Sequence, residues 1–452
     1  MLEPSIFKAY DIRGVFGKDF DEQFAYKLGL AFPGLLREKE KKALTVVVGS
    51  DMRLSSPVLK RHLIDGLLDA GVDVVDIGLS PTPTFYFAVA HYKYDGGILV
   101  SASHNPKEYN GFKLVRARAL PVSRDSGMFA LRDVVLAGQF KKSPIKGNLS
   151  RKDDVVKDQV VHELSFVNAK KIQPFKIVID SANSMGAVYF DELFKSIPCK
   201  LVRMNWDLDG TFPSHEPDPL KVENLKSLAE RVVKEKADLG IATDGDADRI
   251  FYVDNAGIPV EPGIIRAILS KLFLADKPGA KIVYDIRPGK ITPETILNSG
   301  GIPIITAVGH SLIKERTIKE KAYFAGESSG HFFLNMDEGC YEVPMLVTLK
   351  ILQDLSSFGH SFASYVLPYK KYFHSGEINF VVSDKDAKIR EIRERYSDAK
   401  QLDIDGITIE YKDYWFNVRA SNTEPLLRLN LEAISKDLMQ QKTEELKKLI
   451  QS

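Results

Sequence analysis

Three times along the chain, an apolar run is followed by a loop, an amphipathic stretch of helical period and a second apolar run. The first unit has a strand over 45–49, a helix over about 56–69 and a strand over 72–76. Ser55 and Ser56 are candidate N-caps, Pro57 suits the first helical turn and Gly71 can end the helix. The second unit has a strand over 176–180, a helix over about 190–195 and a strand over 200–203. The third has strands over 281–285 and 303–306 around a helix over about 293–298. Strands alternating with helices predict mainly parallel sheets, covered on both faces. Functional loops then belong at the carboxyl ends of strands.

The pattern changes after residue 369. A strand over 378–382 and a helix over 386–396 are followed by three strands near 407–411, 415–419 and 426–431, and an amphipathic helix over 436–450. Consecutive strands between two helices predict a smaller α+β domain. The predicted fold class is therefore α/β: three α/β domains with mainly parallel mixed sheets, plus a smaller C-terminal α+β domain. The predicted domains are 1–148, 149–257, 258–368 and 369–452.

Length and composition narrow the field. A chain of 452 residues with 44% hydrophobic residues is globular and too long for one ordinary core. A formal net charge of +1 argues against a nucleic-acid or anionic-membrane partner. Two cysteines, Cys199 and Cys340, fit a reducing compartment and no disulfide framework; Cys340 is read as structural. Residues 1–5 show no secretory pattern, and no apolar run approaches the length of a membrane span, so a cytoplasmic location is expected.

Two short strings carry the chemistry. Ala102-Ser103-His104-Asn105-Pro106 places a hydroxyl in a loop directly after the apolar run 97–100. Asp244-Gly245-Asp246-Ala247-Asp248-Arg249 places three carboxylates at alternate positions among small residues, then an arginine. Three like charges this close call for a cation or several donors, and ligation by oxygen alone favours Mg2+ or Ca2+ over zinc. A calcium-binding EF-hand is excluded, because Arg249 stands where that loop needs glycine and Asn255 where it needs a bidentate glutamate. Ser-His-Asn-Pro alone also reads as an ordinary turn. Taken together, a nucleophilic serine and hard oxygen ligands supply what phosphoryl transfer to and from a side chain needs.

The chain resembles the α-D-phosphohexomutases. Serine and metal loops of that family are similar to Ser101–Pro106, followed by Tyr109-Asn110-Gly111-Phe112-Lys113, and to Asp244–Arg249. Gly326-Glu327-Ser328-Ser329-Gly330-His331 resembles its sugar-recognition loop, and Arg419-Ala420-Ser421-Asn422-Thr423-Glu424-Pro425 its phosphate-binding loop. Tyr10-Asp11-Ile12-Arg13-Gly14 is similar to its opening segment. The resemblance implies four domains around a central cleft. It implies interconversion of hexose 1-phosphate and 6-phosphate through phosphoserine 103 and a hexose 1,6-bisphosphate. One Mg2+ per chain would be held by Ser103, Asp244, Asp246 and Asp248.

Roles for other residues follow from the same resemblance. Lys113 and His310 are candidates for acid/base work, a lysine needing a lowered pKa for it. Arg13 and Tyr10 line the serine. Glu327 and Ser329, with His331, face sugar hydroxyls, the first two at O3 and O4. Arg419, Ser421, Asn422 and Thr423 take the distal phosphate, and Arg249 and Arg287 are further anion contacts. The expected partners are small sugar phosphates, with no nucleic acid and no membrane, in a monomer or dimer.

Two positions depart from the family pattern. Arg287 stands where the mannose/glucose group often has lysine, and the two are not interchangeable at a phosphate. Ser328 stands where that group commonly has methionine and the glucosamine group glutamine, so it does not decide the sugar. The strings 109–113 and 212–219 look more like the phosphomannomutase/phosphoglucomutase group. Two alternatives remain: a phosphoglucosamine mutase, and a metal-dependent sugar-phosphate binding protein without turnover.

Overall fold

A computed structural model describes residues 3–36, 43–287, 289–420 and 426–451. The chain forms two compact units, one of Met1–Val260 with Phe333–Ala363, the other of Glu261–Phe332 with Ser364–Ser452.

The first unit opens with a seven-stranded sheet of β1 (Ile12–Val15), β2 (Thr45–Ser50), β3 (Asp73–Leu79), β4 (Gly96–Val100), β5 (Tyr109–Arg116), β6 (Leu120–Pro121) and β7 (Leu149–Arg151). The order is β1-β5-β4-β2-β3-β7, with β6 beside β5. It is mixed: β4, β2, β3 and β7 are parallel, while β5 runs against both β1 and β4. The central strands β2 and β4 are buried almost throughout, as their unbroken apolar runs require. Phe7, Phe20, Phe24 and Phe112 pack edge-on beneath one face, each burial worth about 1.5–3 kcal/mol.

The helix Ser56–Asp69 forms where periodicity places it, with Pro57 in its first turn and Gly71 (φ 77°) just past its end. The expected cap does not form. Ser55 makes no side-chain cap bond. Its hydroxyl instead accepts from Asn110 Nδ2 at 2.8 Å, and Ser56 Oγ donates to Asp51 Oδ1 at 2.6 Å. Both hydroxyls serve tertiary contacts beside the serine loop.

The second sheet comprises β8 (Lys176–Asp180), β9 (Lys200–Met204), β10 (Leu239–Thr243), β11 (Ile250–Asp254) and β12 (Pro259–Val260), in the order β12-β11-β10-β8-β9. Its crossover helix spans Gly186–Leu193 and so begins earlier than the apolar pattern indicates. Small residues, Gly186 and Ala187, occupy its buried first turn.

In the second unit β13 (Lys281–Asp285) lies between β14 (Ile302–Thr306) and β15 (Phe324–Gly326), all parallel. β16 (Phe332–Asn335) then carries the chain back toward the first unit, where it pairs antiparallel with β17 (Cys340–Glu342). The following helix, Pro344–Phe358, is an integral part of that unit: Met345 N donates to Tyr189 Oη at 2.9 Å, and Asn168 N to Gln353 Oε1 at 2.5 Å.

The C-terminal sheet belongs to the second unit. It contains β18 (Phe373–His374), β19 (Ile378–Val381), β20 (Lys400–Leu402), β21 (Ile407–Glu410), β22 (Tyr414–Ala420) and β23 (Leu426–Ala433). Helices Lys385–Arg395 and Lys436–Gln451 accompany it. β18 and β20 are missing from the sequence reading because each is only two or three residues long and largely polar or exposed. Among the described residues, no helix is long and apolar enough to cross a membrane.

A buried carboxyl sits inside the first unit. Glu163, on the helix Val155–Leu164, accepts from Gln159 Nε2 at 2.7 Å, and Gln159 accepts from Thr84 Oγ1 at 2.7 Å. Burial pushes the Glu163 pKa up to about 7, against smaller opposing effects of Gln159 and His162. The folded state thus keeps this proton to higher pH than the unfolded chain does. Stability attributable to the group is full below the ordinary glutamate pKa and is lost as pH rises toward 7. Glu163→Gln should therefore be more stable than wild type at pH 8, by on the order of 3 kcal/mol, and nearly equal at pH 5. Urea unfolding at both pH values checks this; a difference that does not vary with pH would refute it.

Candidate active site

β4 and β10 deliver the two chemical loops at their carboxyl ends. Ser103 follows β4, and Asp244 follows β10 directly. Ser103 lies at φ 50°, unusual for a residue with a Cβ. Its N–H donates to Ser101 Oγ at 3.1 Å, and its carbonyl accepts from Arg53 Nη2 at 2.7 Å. Arg53 is wholly buried and also donates to the carbonyls of Asn105 (2.6 Å), Pro106 (2.7 Å) and Tyr109 (3.0 Å), with Nε 3.3 Å from Asp51. One guanidinium thus fixes the whole serine loop. Motif reading missed Arg53; its signal is a charged Asp51-Met52-Arg53 directly after an apolar strand.

The serine and the acidic loop meet. Ser103 Oγ donates to Asp244 Oδ2 at 2.8 Å and lies 3.2 Å from His104 Nδ1. Asp244, Asp246 and Asp248 are buried, and ligand oxygens of the three lie within 4.8 Å of one another, so the cluster can hold a metal ion. Asp246 Oδ1 is buried with no hydrogen-bond partner. An orphaned carboxylate oxygen in an all-oxygen set fits a hard divalent cation. Burial, then the charges of Asp248 and Asp246, hold the Asp244 pKa well above the aspartate range.

Lys113, on β5, reaches Asp246 Oδ2 at 2.5 Å and Asp248 Oδ2 at 2.6 Å. Base chemistry would need its pKa lowered. Burial acts that way, but the two carboxylates prevail and the pKa stands well above the lysine range. Thr82, also missed by motif reading, donates to Asp246 through Oγ1 at 2.5 Å. Arg249 places its N–H 3.2 Å from Asp244 Oδ1 and its Nε 3.7 Å from Oδ2. Arg13 donates to Asn105 Oδ1 and Asp11 Oδ2, each at 2.5 Å, so it braces the serine loop; Tyr10, half-buried, lies three residues before it.

The second unit gathers the other predicted residues. Glu327, after β15, accepts from Gly309 N (2.8 Å) and Ser329 Oγ (3.0 Å), with His331 Nδ1 at 3.3 Å. Burial would raise its pKa, but His331, Arg287 and the Gly309 N–H hold it far below the glutamate range. His310 opens the helix His310–Lys319, and its ring stacks on His331 with centroids 5.9 Å apart. Arg287 follows β13; its Nε donates to Asp285 Oδ2 at 2.6 Å and its Nη2 lies 3.8 Å from Glu327. Ser328 Oγ donates to Asp285 Oδ1 at 3.0 Å and accepts from Arg266 Nη1 at 3.2 Å. Arg266 also pairs with Asp285, and both are wholly buried. This pair, too, was invisible in the motifs.

Arg419 is buried at the end of β22. Its Nη2 donates to Glu377 Oε2 at 2.7 Å, and its Nη1 lies 3.8 Å from Asp405, which accepts from Val308 N. Ser421, Asn422 and Thr423 lie outside the described residues.

Family models match nearly the whole chain in order: phosphoglucomutase/phosphomannomutase domain I over 4–141, domain II over 157–257, domain III over 262–372 and the C-terminal domain over 377–449. A phosphomannomutase of Vibrio cholerae is 40% identical over 460 residues, covering 100% of this chain and 99% of the relative. The chain belongs to the phosphoglucomutase/phosphomannomutase family. It is a mutase, an intramolecular phosphotransferase. The crystal structure of a family member from Burkholderia thailandensis is similar, with a TM-score of 0.89 at 32% identity, covering 99% of this chain and 97% of that one. An N-acetylphosphoglucosamine mutase from Aspergillus fumigatus, in complex with GlcNAc-6P and magnesium, shares the fold at 13% identity, with a TM-score of 0.59 over 98% and 96% of the chains.

Gly245 is where this mutase's two loops touch: a Cβ there would overlap the Ser103 carbonyl oxygen. Gly245→Ala must push the serine loop off the carboxylates, and small misplacements at a reacting centre cost about 10²-fold. We expect turnover to fall by about that factor while the fold survives. Steady-state assay beside circular dichroism checks this; near-normal turnover would show the loops free to separate.

Proposed function

We propose that this mutase interconverts the 1- and 6-phosphates of mannose and glucose through a phosphoserine at residue 103 and a hexose 1,6-bisphosphate. The observation that carries the reading is the Ser103 hydroxyl 2.8 Å from Asp244 within a buried three-carboxylate cluster. The four domains divide, on this reading, near residues 148, 257 and 368.

The chemistry follows from charge. A phosphoserine adds about −1.5 to −2 charge beside three carboxylates. Mg2+ held by Asp244, Asp246, Asp248 and the Ser103 phosphoryl group would neutralise that charge and polarise the phosphorus–oxygen bonds. Lys113 stays charged and adds a fixed donor to the cluster. In the first half-reaction the Ser103 Oγ–P bond breaks and a bond forms from phosphorus to the free sugar hydroxyl, whose proton His310 accepts in this scheme. In the second, the other sugar O–P bond breaks, Ser103 Oγ forms the new bond to that phosphorus, and the freed sugar oxygen takes the proton back. Glu327 and Ser329 bind O3 and O4, with His331 beside them. Arg287, Arg249, Arg419 and the segment holding Ser421, Asn422 and Thr423 bind phosphate, and Arg13 and Tyr10 border the serine.

Ser103→Ala should abolish the phosphoprotein and nearly all turnover without unfolding the chain. Intact mass after incubation with glucose 1,6-bisphosphate tests it; phosphate mapped to another residue, with near-normal activity, would overturn the assignment. Asp246→Asn should lose Mg2+ affinity and turnover together, since an amide is a poorer ligand for a hard cation; full activity in excess chelator would remove the metal from the scheme.

Substrate breadth follows from Ser328. Its hydroxyl is engaged by Asp285 and Arg266, so the position that varies between family groups is turned onto protein. With O3 and O4 read by Glu327 and Ser329, no residue assigned here reads C2, where mannose and glucose differ. Their kcat/KM values should lie within roughly 10–200-fold, the range of weak pocket discrimination. A wider gap, or a faster rate on glucosamine 1-phosphate, would reveal a C2 reader or the glucosamine specificity.

A further inference from the structure

We propose a second metal site in the first unit, a transition-ion site of the zinc type formed by His91, His162 and Glu338. It shares no residue with the aspartate cluster. The three side chains come from three segments: the end of the helix Thr82–His91, the helix Val155–Leu164, and the turn between β16 and β17. Their ligand atoms all lie within 4.8 Å of one another. His162 Nε2 is 3.0 Å from Glu338 Oε1, and His91 Nδ1 is 3.8 Å from Oε2.

The separations fit an ion shared by the three side chains. His162 Nε2 is shielded from solvent and meets the Glu338 carboxylate at 3.0 Å off the ideal hydrogen-bond axis, in a pairing that raises the imidazole pKa and that an ion would replace. Nitrogen and oxygen atoms about 3–4 Å apart are spaced as neighbours around a small tetrahedral ion with bonds of about 2.0–2.2 Å. The His91 side chain is 38% exposed, which leaves an entry path and room for water as the fourth ligand.

The surroundings hold the ligands in place. The His91 ring stacks on Phe87 at 4.6 Å, and Phe166 meets His162 edge-on at 5.4 Å. Tyr341 Oη donates to Glu338 Oε1 at 3.1 Å, the kind of outer contact that orients a ligating carboxylate. The turn is closed by paired bonds between Met336 and Gly339, and Arg118 donates to the Asp337 carbonyl. Two imidazoles and one carboxylate select a borderline ion such as Zn2+ over Mg2+.

Co2+ serves as the spectroscopic probe. Untagged full-length protein would be titrated at neutral pH in saturating Mg2+, added to fill the aspartate cluster as the proposed function requires. We expect one equivalent of Co2+ to give the intense visible band of a low-coordinate ion, displaced by one equivalent of Zn2+. His91→Ala, at an exposed position, and Glu338→Gln should each weaken binding by at least about tenfold with mutase turnover unchanged. Asp246→Asn should keep the band. The proposal is overturned by absent binding at micromolar ion, by affinity unchanged in both variants, which would leave His162–Glu338 a plain ion pair, or by a sulfur-to-cobalt charge-transfer band, which would place the ion on a cysteine.

Discussion

Three carboxylates held under one serine, out of water, impose the constraint on which the first unit is built. Like charges at this range repel strongly in a low-dielectric interior, so each oxygen needs something to hold it. Lys113 spans Asp246 and Asp248, Thr82 supports Asp246, and the Arg249 N–H supports Asp244. The strands β5 and β10 and the helix beginning at Thr82 deliver these contacts, and β4 delivers Ser103 to Asp244, which explains why distant segments converge on seven residues. Removing one member of such a buried set typically costs about 3–5 kcal/mol, so the cluster shapes the fold as well as the chemistry.

The second unit solves a similar problem by alternation. Arg266, Asp285, Arg287, Glu327 and His331 form a chain in which cationic or protonatable groups separate the acids. Ser328 joins it through Asp285, so the loop that carries Glu327 and Ser329 is braced from behind. The two orientations of the loop's hydroxyls then differ in purpose: Ser328 points into the support, while Ser329 bridges Glu327 and His331.

Much of this was legible in the sequence because loops after strands keep their residues together. Ser103 and the three aspartates could be singled out from two strings, and strand–helix alternation gave the layered α/β plan. The supporting residues were not legible, for a physical reason. Arg53, Thr82 and Arg266 act through contacts 19 to 164 residues away in sequence, and a lone arginine or threonine carries no local spacing signal. Ser55 and Ser56 look like helix caps by type, yet their hydroxyls answer to Asn110 and Asp51, because tertiary demand outweighed a bond worth about 1 kcal/mol. Edge strands such as β18 and β20 escape because pairing, and not burial, defines them.

The first unit is completed by residues 333–363, which follow the 72 residues 261–332 of the other unit. A ribosome adding about 5–20 residues per second delays that closing segment by roughly 4–14 s. Through this interval the nascent first unit lacks the helix Pro344–Phe358, and the apolar surface around Tyr189 and Tyr252 waits uncovered. Vectorial synthesis therefore makes the unit that holds Ser103 and the aspartate cluster the client of its own later sequence.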